Sequence, residues 1–188
     1  MHYTGTIWRP PYEAYSLLVQ VTAGCTHHSC KFCTLYEDLP FKFRMSPFSE
    51  VESDLAEASR YYKNVPRIFF TGANPFVLTT DKLKTLAQMV KKYYPNYETI
   101  GCFGRVTDIY NKSVDDLKEL RKLGYDGITF GVETGHDEAL AFMNKGFRSS
   151  DTIEQMKKLE EAGISYNFFY LTGISGAGHG EYGAKKTA

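Results

Sequence analysis

Three of the four cysteines fall within nine residues, in the run Cys25-Thr-His-His-Ser-Cys30-Lys-Phe-Cys33. Three thiolates in one short loop can each hold a different iron of a cubane iron–sulfur cluster. Metal–sulfur distances of roughly 2.3 Å then leave the fourth iron without a protein ligand and open to a small molecule. Zinc is the competing reading, because Cys25, Cys30 and Cys33 with His27 or His28 could supply four tetrahedral ligands. Two considerations favour the cluster. Structural zinc usually joins two separate ligand pairs, and it organises small domains that lack a core. His27 and His28 otherwise read as solvated loop imidazoles. Cys102 falls inside an expected strand and reads as a buried, inert thiol. An electron-transfer cluster would need Cys102 as its fourth ligand, from a different strand.

The rest of the chain must position that loop. With 188 residues, 43% hydrophobic and 23% charged, the sequence is long and apolar enough for one domain with a full core. Lys+Arg and Asp+Glu balance at 22 each, so no basic footprint for nucleic acid is evident. Residues 1–15 carry Trp8, Arg9, Pro10, Pro11 and Glu13 where a signal peptide would be apolar. No apolar run is long enough to span a bilayer. The expectation is a cytoplasmic protein without membrane association, in which clustered cysteines mean metal or redox chemistry rather than a disulfide scaffold.

Short apolar runs alternate with amphipathic segments. Strands are expected at 16–22, 67–71, 99–103, 127–132 and 165–171. Helices are expected at 49–63, 80–94, 113–123, 137–144 and 150–162. Ser49 and Glu52 have capping-box spacing at the first helix, whose inward face would be Val51, Leu55, Ala58 and Tyr62. The alternation predicts right-handed parallel βαβ units, in an open doubly wound sheet or a partial barrel. Residues 1–15 form an N-terminal extension ahead of a core at 16–188. The glycine-rich run at 173–180 opens a further helical unit that no strand closes, so a fragment of a longer chain is expected.

Five candidate segments each follow a different expected strand, and strand ends on one side of a parallel sheet converge on one site. They are the cysteine loop, Gly72-Ala73-Asn74-Pro75, Arg105, Gly131-Val132-Glu133-Thr134-Gly135 and the loop at 173–180. With these residues the chain resembles the radical S-adenosylmethionine (SAM) superfamily. Its usual three-cysteine signature has an aromatic residue before the last cysteine, as Phe32 is here. The first spacing is one residue longer than usual, giving C-x4-C-x2-C.

The resemblance implies a partial parallel (β/α) barrel of the radical SAM core type, with about five βα units. It implies a 4Fe–4S cluster on Cys25, Cys30 and Cys33, and SAM as second cofactor. Phe32 would pack near the adenine. Gly72, Ala73 and Asn74 would lie at the methionine amino group, Asn74 offering an uncharged acceptor where an acid is common. Arg105 would pair with the carboxylate, Glu133 would accept from ribose hydroxyls or the amino group, and Gly173 would offer backbone near the adenine. The implied reaction is reductive cleavage of SAM to a 5′-deoxyadenosyl radical that abstracts hydrogen from an unknown substrate. An electron donor such as flavodoxin or ferredoxin would serve it. Methylthiolation, tRNA modification, porphyrin chemistry and oxidative maturation are all compatible, and no residue is singled out as a substrate-specific acid or base. The non-catalytic alternative is a zinc-stabilised binding module.

Overall fold

The computed structural model describes residues 1–188. Its strands are Leu17–Gln20 (β1), Thr22–Gly24 (β2), Phe43–Met45 (β3), Arg67–Thr71 (β4), Thr99–Gly104 (β5), Ile128–Glu133 (β6) and Tyr166–Tyr170 (β7). Its helices are Phe48–Tyr61 (α1), Thr80–Tyr93 (α2), Val114–Lys122 (α3), Asp137–Phe142 (α4), Ser149–Ala162 (α5) and Gly180–Thr187 (α6). Five strands form one parallel sheet in the order β1-β4-β5-β6-β7, and β2 pairs antiparallel with β3 in a separate hairpin. Each new strand is added on the same side of the last. A doubly wound sheet would reverse direction at a switch point. This one does not, so the architecture is an open partial (β/α) barrel whose edges are β1 and β7.

The two faces of the sheet differ in kind. Register aligns Val19, Phe70 and Cys102 on one face, continued by Phe130. These residues pack with Leu55, Leu83, Leu86, Leu117, Leu120 and Leu159 from the helices into a single core of 30 buried residues. The intervening residues Gln20, Arg67, Phe69, Thr71, Gly101, Phe103, Thr129 and Gly131 point the other way. Residues 4–13 run across that face in place of helices. Gln20 bonds the backbone of Thr4 in both directions, at 2.6 and 3.0 Å. The Thr71 hydroxyl donates to the Trp8 carbonyl at 2.9 Å, and the Tyr12 and Thr129 hydroxyls meet at 2.8 Å.

Three expectations need correction. The first strand is not continuous to Thr22. Val21 bonds both ways, its N–H to the Thr71 carbonyl at 3.2 Å and its carbonyl to the Ser46 N–H at 2.9 Å. The chain thus leaves the sheet at Val21 and enters the β2–β3 hairpin that carries the cysteine loop. The Ser49–Glu52 capping box does not form, because α1 starts behind Pro47 and places Ser49 inside its first turn. Glu52 instead pairs with Lys92 at 2.5 Å and accepts from the Tyr93 hydroxyl at 3.2 Å. Tyr62 is 61% exposed, since α1 ends one residue earlier and Tyr62 is already extended.

Candidate functional site

The cysteine loop is held on several sides. Gly24, at φ 74, turns the chain out of β2, and the Cys25 N–H donates to the Lys42 carbonyl at 2.9 Å. A side chain at Gly24 would strike that same carbonyl. Across the loop, the turn after α4 makes three bonds. His27 Nε2 contacts the Asn144 carbonyl at 2.5 Å, the Asn144 amide donates to the Ser29 carbonyl at 2.9 Å, and the Lys31 N–H donates to the Met143 carbonyl at 3.1 Å. His27 therefore already holds the loop, and His28 occupies a left-handed conformation at φ 46.

Beyond the C-terminal ends of the strands lies a cavity of about 280 Å³. Cys25, Cys30, Cys33, Phe32, Ala73, Arg105 and Glu133 all line it, so residues from four separate strand ends meet there. Lys145, Trp8, Arg9, Leu35 and Phe169 also line it, and their types and spacing did not single them out as site residues. Gly72, Asn74 and Gly173 are not on the lining. Gly72 backs directly onto Thr22. Asn74 is fully buried behind the cysteine loop, where its carbonyl oxygen accepts from the Thr26 N–H at 3.3 Å. Its amide donates to the Thr26 hydroxyl at 2.7 Å and to the Asp108 carboxylate at 3.1 Å. Gly173 borders a neighbouring cavity of about 540 Å³, which shares Glu133 with the first. Cys102 belongs to the helix-side core.

Glu133 is placed by backbone strain. A register shift between Gly131 and Glu133 interrupts the β6–β7 pairing, and Glu133 takes a left-handed φ of 70. The Glu133 carboxylate folds back against Gly131, where a Cβ would lie 2.6 Å from Glu133 Oε1. Buried Lys145 then fixes the acid, donating to Glu133 Oε1 at 3.1 Å and to the Gly131 carbonyl at 2.8 Å. The Lys145 carbonyl accepts from Arg105 Nη2 at 2.5 Å, leaving the other guanidinium N–H groups for a ligand. The Lys145 ammonium also lies 5.5 Å from the Phe32 ring centre. Burial pushes the Cys30 thiol up, while the charges of Lys145 and Arg105 pull it back. Asp108, behind Arg105, is pushed up to about 6 by burial, against the bonds from Arg105 N–H and Asn74 that pull it down.

The family model of the radical SAM superfamily matches residues 19–181. The chain belongs to that superfamily. Among curated proteins, this radical SAM chain is 22% identical over 143 residues to the heme chaperone HemW of Bacillus subtilis, covering 73% of itself and 37% of HemW. An uncharacterized Methanocaldococcus jannaschii protein is 26% identical over 175 residues, with 87% of this chain and 53% of that one covered. The chain thus spans about a third to a half of the length of these relatives. Among solved structures, the cobalamin-dependent SAM radical enzyme OxsB superimposes with a TM-score of 0.65 at 20% identity, over 84% of this chain and 24% of OxsB. That likeness is one of fold.

The residues present fit the cofactors of this superfamily. Three thiols face one cavity, beside two cations suited to an anionic cluster. Arg105 has spare donors for a carboxylate, and Glu133 offers an acceptor. A cubane spreads its thiolates over different irons.

Proposed function

We propose that this chain is a radical SAM enzyme whose catalytic centre is the cysteine-lined cavity. The carrying observation is that Cys25, Cys30, Cys33, Phe32, Arg105 and Glu133 line one space at the C-terminal end of a singly wound parallel sheet. Cys25, Cys30 and Cys33 would hold a 4Fe–4S cluster, and the same space would take SAM. Together these cofactors supply reductive carbon–sulfur cleavage and a 5′-deoxyadenosyl radical for hydrogen abstraction.

The chain's own residues bind and orient. Arg105, held through Lys145, would clamp the methionine carboxylate. Glu133, fixed by the same lysine, would accept from the ammonium or the ribose. Ala73 would lie at the methionine amino group, and Phe32 would bound the nucleoside. Asn74 acts from behind, tying the cysteine loop to Asp108, so its contribution is to loop position. Gly173 would border the far side, in the adjoining cavity. Residues 16–188 form the catalytic core in this reading, served by a one-electron donor of the flavodoxin or ferredoxin kind. No helix is long and apolar enough to cross a membrane.

The test is anaerobic reconstitution with iron and sulfide, followed by EPR of the reduced protein with and without SAM. A cluster signal that changes shape on adding SAM is the expected result. One equivalent of zinc and no cluster signal would replace the enzyme with a zinc-stabilised module.

A further inference from the structure

The helix-free face of the sheet ends at the cysteine cavity, and its cover is the N-terminal segment. That segment is pinned at the opposite end of the strands. Glu13 is buried, and Arg67 grips its carboxylate from Nε at 3.1 Å to each oxygen and from Nη2 at 2.5 Å. Arg67 reaches it only because Gly101 and Gly127 have no side chains, and its Nη1 also donates to the Asp126 carbonyl at 3.0 Å. From this anchor the chain runs through Tyr12, bonded to Thr129 on β6, to Trp8, bonded through its carbonyl to Thr71 at the end of β4. Phe69 points away from the helices and is nonetheless 0% exposed, its ring edge-on to Phe103 at 5.1 Å between ring centres. At its upper end Trp8, 44% exposed, lines the same cavity as the three cysteines, with half-exposed Leu35 and Phe169 beside it.

We infer that Trp8 and Arg9 form a wall of the catalytic cavity, held in place by residues 10–13, and that Trp8 is a positioning residue for the molecule that reacts there. This rests on the radical SAM reading of the cavity. The polar side of the space, Arg105, Lys145 and Glu133, sits on the loop after β5, on the turn after α4 and at the end of β6. The more apolar side is built from Trp8, Leu35 and Phe169, with Arg9 following Trp8 on the lining. An apolar partner of the radical would be oriented on that second side. The Glu13–Arg67 pair acts at a distance, by fixing the segment that carries Trp8.

Trp8 is the only tryptophan, so its emission reports on the wall alone. In cluster-free protein, Trp8 fluorescence anisotropy should be that of an ordered side chain. It should drop clearly in Glu13→Gln and partly in Tyr12→Phe, with far-UV circular dichroism unchanged. Should Glu13→Gln fail to fold, the milder Tyr12→Phe carries the comparison. Folded variants with wild-type anisotropy would overturn the pinned wall, whatever the cofactor chemistry. In reconstituted protein, SAM should shield Trp8 from acrylamide several-fold in the wild type and not in the variants. If SAM alters the EPR signal yet leaves Trp8 quenching unchanged, Trp8 does not face the reacting space. Absence of any EPR response to SAM would instead count against the radical SAM reading, with the anisotropy result standing apart.

Discussion

One face of the sheet holds the molecule together and the other ends at the proposed catalytic cavity. The helix side is a continuous aliphatic and aromatic core. The opposite side mixes Arg67, Phe69, Thr71, Phe103 and Thr129 with glycines, and is covered by an extended segment bonded through side chains. Aliphatic packing tolerates many sequences of similar volume. The polar side depends on individual partners, such as Lys145 for Glu133 and Glu13 for Arg67. Function is thereby separable from stability at residues that line the cavity without a buried partner, such as the cysteines, and not at the buried Lys145–Glu133 pair.

The sharpest separation is Cys30→Ser, which should abolish cluster assembly while leaving the thermal unfolding midpoint of the cluster-free protein unchanged. Iron analysis after reconstitution reads it, from about four irons per chain in the wild type. The converse is Phe130→Ala, buried on the helix side against Phe76 at 6.3 Å between ring centres. It should cost about 3–5 kcal/mol in denaturant unfolding. A Phe130→Ala protein of wild-type stability would break the comparison. Lys145→Met leaves the Glu133 carboxylate buried without its cation, at an expected cost of about 3 kcal/mol. The double variant Lys145→Met/Glu133→Gln should regain most of that stability without regaining function.

The smallest expected effect is one of pH. Folded Asp108 titrates near about 6, against an ordinary value of 3.8. The folded chain holds this proton over a range where the unfolded chain has released it. Stability should therefore fall as pH rises from about 4 to about 6, by on the order of 2–3 kcal/mol. Asp108→Asn should flatten that part of the curve, and urea unfolding across the range would measure it.

Much of this was legible in residue order. Alternating apolar runs and amphipathic segments gave the five βα units, because helix-side packing leaves a periodic signature at Leu83, Leu86, Ala87 and Val90. Cys25, Cys30, Cys33 and Glu133 were visible from spacing and from their place after strands. Lys145 was not, because a lysine beyond a short helix reads as solvated until the fold closes over it. Trp8 and Glu13 were hidden for a similar reason. Their partners Thr71 and Arg67 lie 63 and 54 residues away, and no local pattern announces a segment crossing the inner face. The β2–β3 hairpin escaped because Val21 belongs to two structures at once.

The central claim is that this cavity cleaves SAM, and the most direct measurement is product analysis. Reconstituted protein reduced with dithionite and given SAM should form 5′-deoxyadenosine and methionine in equal amounts, and the Cys30→Ser protein should form neither. A chain that assembles its full cluster, is reduced, and leaves SAM intact would contradict the account.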